Sequence, residues 1–265
     1  MSLDLFARPA LLFLPASNLR AIAKARVSGA DLVVLDLEDA VKAEDKAEAR
    51  VAAIAALDQD WPMPVAVRIN GVGTHDHGAD LAAVIGKIGL NVVVPSVRTV
   101  EELHGVASII SRPPMVMIET AQAVVNVVAI ARQSAGLILG TNDLAADLRL
   151  PPGARRESML YAIQATLLAA RAVGVPVFDG VFNRLDDPDG FAAEAAESRA
   201  LGFDGKSLIH PDQIAPCQHA FAPTAAELAR AQRLIAASSG GAQRFEGAMI
   251  EDLHVAAARR LLDGR

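Results

Sequence analysis

The 265-residue chain reads as a (β/α)8 TIM barrel, with a helical segment added at its C-terminus. Three observations predict this. Short apolar runs alternate with longer helical stretches, the signature of a parallel sheet wrapped by helices. There are eight such runs and seven helical stretches between them, with an eighth over 211–219. The turn after the first run, Leu14-Pro15-Ala16-Ser17, is unlike the glycine-rich G-x-G-x-x-G that usually opens a doubly wound sheet, the competing architecture.

In chain order, strands are predicted over 10–14, 31–36, 65–69, 91–94, 115–118, 137–139, 175–178 and 205–208. Most are near-continuous apolar runs, as expected of strands covered on both faces. Helices are predicted over 19–28, 43–57, 80–89, 100–110, 121–133, 156–173 and 190–201. The barrel is assigned to residues 1–222 and a C-terminal helical extension, or lid, to 223–265. Within the extension, Thr224 followed three residues later by Glu227 forms a capping box for a helix over 224–237. Ser238-Ser239-Gly240-Gly241 reads as a flexible hinge. A last helix over 249–262 ends in Arg259 and Arg260, charges suited to a helix C-terminus. This tail has three readings: a lid, an arm exchanged between subunits, or a helix packed on its own barrel.

Composition excludes several classes. Apolar residues make up 52% of the chain and aromatics only 4%, which suits packed helices over buried strands rather than disorder. The formal charge of -6 comes from 25 basic and 31 acidic residues mixed along the chain, so no basic stripe invites nucleic acid. Cys217 is the only cysteine, which precludes an internal disulfide and fits a cytoplasmic protein. Glu119, Gln122 and Asn126 interrupt the most hydrophobic stretch, so no membrane span is expected. Residues 10–16 resemble a short signal core, but Asp4 precedes them and Pro15 lies within them, which argues against a cleaved signal.

Active sites of parallel barrels gather where the strands end. The polar residues there are Asp36, Glu38 and Asp39 after the second strand, Arg68 and Asn70 after the third, and Glu119 after the fifth. Asn142 and Asp143 follow the sixth, and Asp179 the seventh. A ring of carboxylates with one arginine needs a cation or protons. Glu119 and Asp143 end adjacent strands and could converge on Mg2+, which takes one or two carboxylates plus waters and substrate oxygens; equally, each could be a first-turn helix acid. Arg68 could pair with the acid cluster 36–39 or bind a substrate carboxylate. That cluster could in turn orient metal-bound waters or pair with Arg68. His75, His77 and His254 read as solvated or surface residues, and His210 as a structural hydrogen-bonding group. No nucleophile elbow or phosphate-binding loop occurs.

Taken together, several segments resemble the citrate lyase beta-subunit-like proteins. These belong to the HpcH/HpaI-type metal-dependent aldolases, a superfamily that includes the malyl-CoA lyases. The segments are Leu12-Phe13-Leu14-Pro15, Leu35-Asp36-Leu37-Glu38-Asp39-Ala40-Val41, Arg68-Ile69-Asn70-Gly71, Ile118-Glu119-Thr120, Leu139-Gly140-Thr141-Asn142-Asp143-Leu144, Asp179-Gly180 and Ile209-His210-Pro211. They fall in the family's order and cover nearly the whole chain.

The resemblance implies that Glu119 and Asp143 are the protein ligands of Mg2+. It implies that Arg68 binds the substrate carboxylate and polarises the reacting oxygen, and that Phe13 and Lys24 hold the coenzyme A portion of the substrate. The implied reaction is aldol-type cleavage or condensation of a 3-hydroxyacyl-CoA such as citryl-, malyl- or citramalyl-CoA, giving acetyl-CoA or a relative and a 2-oxo acid. Two further readings are an aldolase on free 4-hydroxy-2-oxo acids and a citrate lyase complex subunit acting on an acyl-carrier-protein thioester. The chain departs from the family's pattern at Ala16, where glycine is usual, and at Asn18, where malyl-CoA lyases are basic, although Arg20 is near. The family's lid aspartate corresponds to Glu251, with Asp252 beside it. The resemblance thus implies a homotrimer in which Glu251 is delivered as acid or base to a neighbouring subunit's site.

Overall fold

In the computed structural model, which describes residues 5, 6, 8–87 and 89–263, the chain divides into two compact units, Met1–Ala220 and Phe221–Arg265. Asp4 and residue 88, which entered the expectations above, lie outside the described residues.

The first unit is a closed parallel barrel in sequential order. Its strands are β1 (Ala10–Pro15), β2 (Leu32–Asp36), β3 (Val65–Arg68), β4 (Asn91–Val94), β5 (Met115–Ile118), β6 (Gly136–Leu139), β7 (Val177–Asp179) and β8 (Gly205–Leu208). β1 pairs with β2 on one side and, with Leu11 opposite Ser207, with β8 on the other, which closes the ring.

Strand parity decides what faces the interior. The inner core contains Leu11, Leu32, Val34, Ala66, Val93, Met115, Met117, Ile138 and Phe178, with Phe13 packed against it. Side chains alternate along a strand. Asp36 follows Val34 inward, Arg68 follows Ala66, and Glu119 follows Met117. By the same count Asp179, next to inward Phe178, points out toward the helices.

The wrapping helices are α1 (Leu19–Ala25), α2 (Lys46–Leu57), α3 (His77–Val84), α4 (Val100–Ile110), α5 (Ala121–Val125), α6 (Val127–Ala131), α7 (Thr141–Asp147), α8 (Leu160–Val173), α9 (Pro188–Leu201) and α10 (Ile214–Phe221). Many bury alanine, for example Ala49, Ala53 and Ala56 of α2, which lets a helix approach the barrel closely where an aromatic residue would not fit.

Several expectations need correction. The helix expected over 80–89 runs from His77 to Val84, because Gly86 and Gly89 take positive φ and cannot continue it. The helix expected over 121–133 breaks at Asn126, whose Nδ2 donates to Arg98 O. α7 is not among the expected helices; it starts at Thr141 with Gly140, the residue after β6, as its N-cap. The segment expected as a bare hinge leads into a hairpin, and the last helix starts at Asp252 rather than 249.

In the second unit, α11 (Ala225–Ala237) carries the capping box between Thr224 and Glu227. Strands β9 (Gln243–Phe245) and β10 (Ala248–Ile250) pair antiparallel. Glu246 and Gly247 between them both have positive φ, as a two-residue hairpin turn requires. α12 (Asp252–Leu262) follows, and Ala231, Leu234, Ile250, Val255 and Ala258 form the unit's own core. No helix among the described residues is long and apolar enough to cross a membrane.

Candidate active site

A cavity of about 380 Å³ opens where the barrel strands end. Its walls include Phe13, Asp36, Asp39, Arg68, Met117, Gly140, Asp143 and Ser207. The inward parity of β1, β2, β3, β5 and β8 brings these side chains together.

Arg68 is the hub. It donates from Nε to Asp36 Oδ1 (2.7 Å) and from Nη2 to Asp36 Oδ2 (2.5 Å), a two-pronged pair buried among apolar strands. Asp36 also accepts the backbone N–H groups of Glu38 and Ala40, so it fixes the turn after β2 and the guanidinium at once. The remaining nitrogen, Nη1, lies 2.9 Å from Glu38 Oε2 and 3.6 Å from Asp39 Oδ2. Phe13 packs its ring 5.6 Å from the guanidinium carbon. Burial alone would lower the Arg68 pKa, but the bonds to Asp36 outweigh it and raise the value. The structure shows the pairing of Arg68 with the acid cluster: one edge grips Asp36, and Nη1 lies against Glu38 and Asp39 at the cavity wall.

The carboxylates are not balanced in the same way. Burial pushes the Glu38 carboxyl up to about 8, against the pull of Arg68 and with the push of Asp39 and Glu119. Burial likewise raises Glu119 to about 7; the N–H of Ser96 opposes this and the charge of Asp143 adds to it. Glu119 Oε1 accepts from Ser96 N (2.5 Å) and Ser96 Oγ (3.2 Å), whereas Oε2 is buried without a hydrogen-bond partner. Asp143 sits in the first turn of α7, and its pKa is raised by burial and by Asp39. An unpaired buried oxygen and raised proton affinities mark a site short of positive charge. Among the described residues no three His, Cys, Asp or Glu side chains cluster as a closed metal cage. Two carboxylates with open positions still suit Mg2+, which keeps waters and substrate oxygens in its shell.

Two contributors are not legible as strand-end acids. Ser96, just past β4, adopts φ 53°, a left-handed conformation rare outside glycine, and this aims its N–H at Glu119. Gly140 has no side chain because a Cβ there would stand 2.4 Å from Glu119 Oε2. The leucine–glycine step at 139–140 is the sequence signal for the second; nothing in Pro95-Ser96-Val97 signals the first.

Other predicted residues fall elsewhere. Asp179 faces outward, where it accepts from Lys206 Nζ (3.0 Å), Arg156 Nη2 (2.9 Å) and Ser198 Oγ (2.5 Å), so it is not part of the cavity ring. Asn70 is bound to Asp80 and Lys46 behind β3. Lys24 is exposed on the last turn of α1 and does not line the cavity. His77 is not merely solvated: its Nδ1 lies 2.8 Å from Asn70 O. His210 Nδ1 accepts from Asp212 N, a structural role. In the second unit, Glu251 precedes α12 as its N-cap, and its N–H donates to His254 Nδ1 (2.9 Å). His254 is thereby more than a surface residue.

Comparison with known proteins agrees with this architecture. The chain is 36% identical to a (3S)-malyl-CoA thioesterase of Cereibacter sphaeroides, over 95% of this chain and 92% of that one. It is 38% identical to a citrate lyase subunit beta of Leuconostoc mesenteroides, over 91% and 85% of the two. The CitE protein of Mycobacterium tuberculosis, solved with magnesium, acetoacetate and coenzyme A, superposes with a TM-score of 0.86 at 33% identity, covering 98% of both chains. The same protein has also been solved with magnesium and oxaloacetate or pyruvate. The HpcH/HpaI aldolase/citrate lyase model matches residues 9–211, and the chain belongs to that family of lyases.

Proposed function

We propose that this chain is a Mg2+-dependent carbon–carbon lyase that cleaves a 3-hydroxyacyl-CoA thioester into an acyl-CoA and a 2-oxo acid, or runs the same step in reverse. The observation that carries the reading is Glu119 Oε2, buried and unpartnered beside Asp143 at the open end of the barrel. Glu119 and Asp143 would hold the ion, which when bound supplies Lewis-acid polarisation of the 2-oxo acid oxygens. Asp36 locks the guanidinium plane of Arg68, and Nη1, which lies against Glu38 at the cavity, would turn from it to bind the substrate carboxylate and the oxygen on which charge develops. Ser96 holds one oxygen of Glu119 so that the other stays aimed at the site. Asp36, Glu38 and Asp39 keep Arg68 in register.

Glu251 is proposed as the group that exchanges a proton with the acyl fragment, presented by a neighbouring subunit of a homotrimer. Its support is the match of Gly247 to Glu251 with the family's lid, in a unit with its own core. Phe13 is proposed to contact the thioester end of the substrate, and Lys24 the outer part of coenzyme A.

The test is a panel of acyl-CoA thioesters assayed with Mg2+, following 2-oxo acid and free CoA separately so that cleavage and hydrolysis are told apart. Activity unaffected by EDTA would refute the metal reading. For Glu251, Arg68→Ala and Glu251→Ala proteins are mixed and refolded together. Partial recovery of activity supports shared sites; a monomer, or no recovery despite subunit exchange, refutes them.

A further inference from the structure

The solved relative binds 2-oxo acids with and without a second carboxylate, so family membership leaves the substrate side chain open. We infer that this cavity favours 2-oxo acids whose side chain is small and uncharged over those that carry a second carboxylate. The inference rests on the lyase reading above and narrows it.

Among the described residues lining the cavity, Arg68 is the only cation, set against Asp36, Asp39 and Asp143. Its capacity is committed: Nε and Nη2 are held by Asp36, and Nη1, the nitrogen toward the cavity, already lies 2.9 Å from Glu38 Oε2. That one edge, with the dication on Glu119 and Asp143, provides for the carboxylate that every 2-oxo acid has. It leaves no countercharge for another.

Several other cations of the barrel are engaged elsewhere. Lys46 Nζ donates to Leu37 O, Glu38 O and Asn70 Oδ1. Arg156 and Lys206 serve Asp179 on the outer face of the strands. Arg184 lies over the Phe182 ring and pairs with Asp187.

The rest of the wall is apolar or neutral. Leu14, Met117, Leu139, Val181 and Ile209 supply an aliphatic surface. Asn142 and Asn183 at the rim are bonded to each other through reciprocal amides, at 2.7 and 3.3 Å. A second carboxylate placed here would exchange water for aliphatic carbon and for the field of three aspartates, a costly transfer without a partner charge. A hydrogen or methyl group in the same place gains from leaving water.

The experiment has two arms, both on the Mg2+-loaded full-length protein. In the first, thioesters that would release glyoxylate, pyruvate and oxaloacetate are compared at equal concentration. In the second, the three free 2-oxo acids are titrated by calorimetry. Glyoxylate or pyruvate is expected to exceed oxaloacetate at least tenfold in kcat/KM and in affinity. Equal or better use of oxaloacetate, with equal or tighter binding, overturns this inference and leaves the lyase reading intact. Release of none of the three, with binding of none, overturns the reading and the inference together.

Discussion

Two of the barrel's buried groups of acids and cations are built to opposite rules. On the outer face of the strands, Lys206 is fully buried and donates to Asp179 Oδ2, Gly180 O and Glu194 Oε1, using all three of its protons. Asp179 is answered by Lys206, Arg156 and Ser198. Burial pushes its carboxyl up, but the two cations outweigh this and hold it below the ordinary range. Inside the barrel, one arginine faces Asp36, Glu38 and Asp39, with Glu119 and Asp143 close by. Glu38 and Glu119 are pushed up to about 8 and about 7, and Glu119 Oε2 has no partner. The outer group is a finished structural tie. The inner group is left short of positive charge, the state expected of a site completed by a ligand.

Breaking the inner group should show first in catalysis. Glu119→Gln and Asp143→Asn are each expected to lower kcat/KM by about three orders of magnitude, since an ion clamp supplies several kcal/mol of transition-state stabilisation. Circular dichroism and Tm should stay near wild type. Arg68→Lys keeps a charge but loses the planar fork that grips Asp36 with one edge and presents Nη1 at the cavity with the other, and should cost on the order of a hundredfold in rate.

Breaking the outer group should show in stability instead. Lys206→Met leaves fully buried Asp179 with only Arg156 and Ser198 to answer it and takes a cation from half-buried Glu194, a loss of about 3–5 kcal/mol in denaturant unfolding. The activity of the molecules that remain folded should be close to normal. A Lys206→Met protein that is as stable as wild type would erase the contrast between the two groups.

The contrast also has a pH signature in the metal-free protein. Glu119 has a folded pKa raised to about 7 from an ordinary 4.5, so the native state binds the proton more tightly than the unfolded chain. Its contribution therefore favours folding at low pH and is lost as pH rises between about 4.5 and 7. Glu119→Gln should remove that decline and leave the metal-free variant no less stable than wild type at pH 8. A smaller effect concerns Cys217, which is buried with its thiol pushed up to about 12. Native protein should react with thiol reagents far more slowly than unfolded protein, and loss of activity on brief treatment would contradict this.

Much of the barrel and the charged residues of the cavity wall are legible in the sequence, because apolar runs mark most of the strands and polar residues at their ends stand out. Which face a strand-end residue takes is not legible. Strands covered on both sides carry no alternation, so Asp36 and Asp179 look alike and only the core position of Val34 and Phe178 separates them. Ser96 escapes notice because its part is played by the backbone N–H, in a conformation its side chain does not advertise. The β9–β10 hairpin is missed for a different reason: three-residue strands hold too little periodicity to be seen, and only Glu246-Gly247 marks the turn.

Calorimetric titration of Mg2+ into metal-free wild-type and Glu119→Gln protein tests most directly whether the inner group is a cation site. Wild type should bind one ion per chain, and Glu119→Gln should bind at least tenfold more weakly with its fold unchanged. Equal affinity in the two proteins, or no binding to wild type in the presence of a 2-oxo acid, would contradict it.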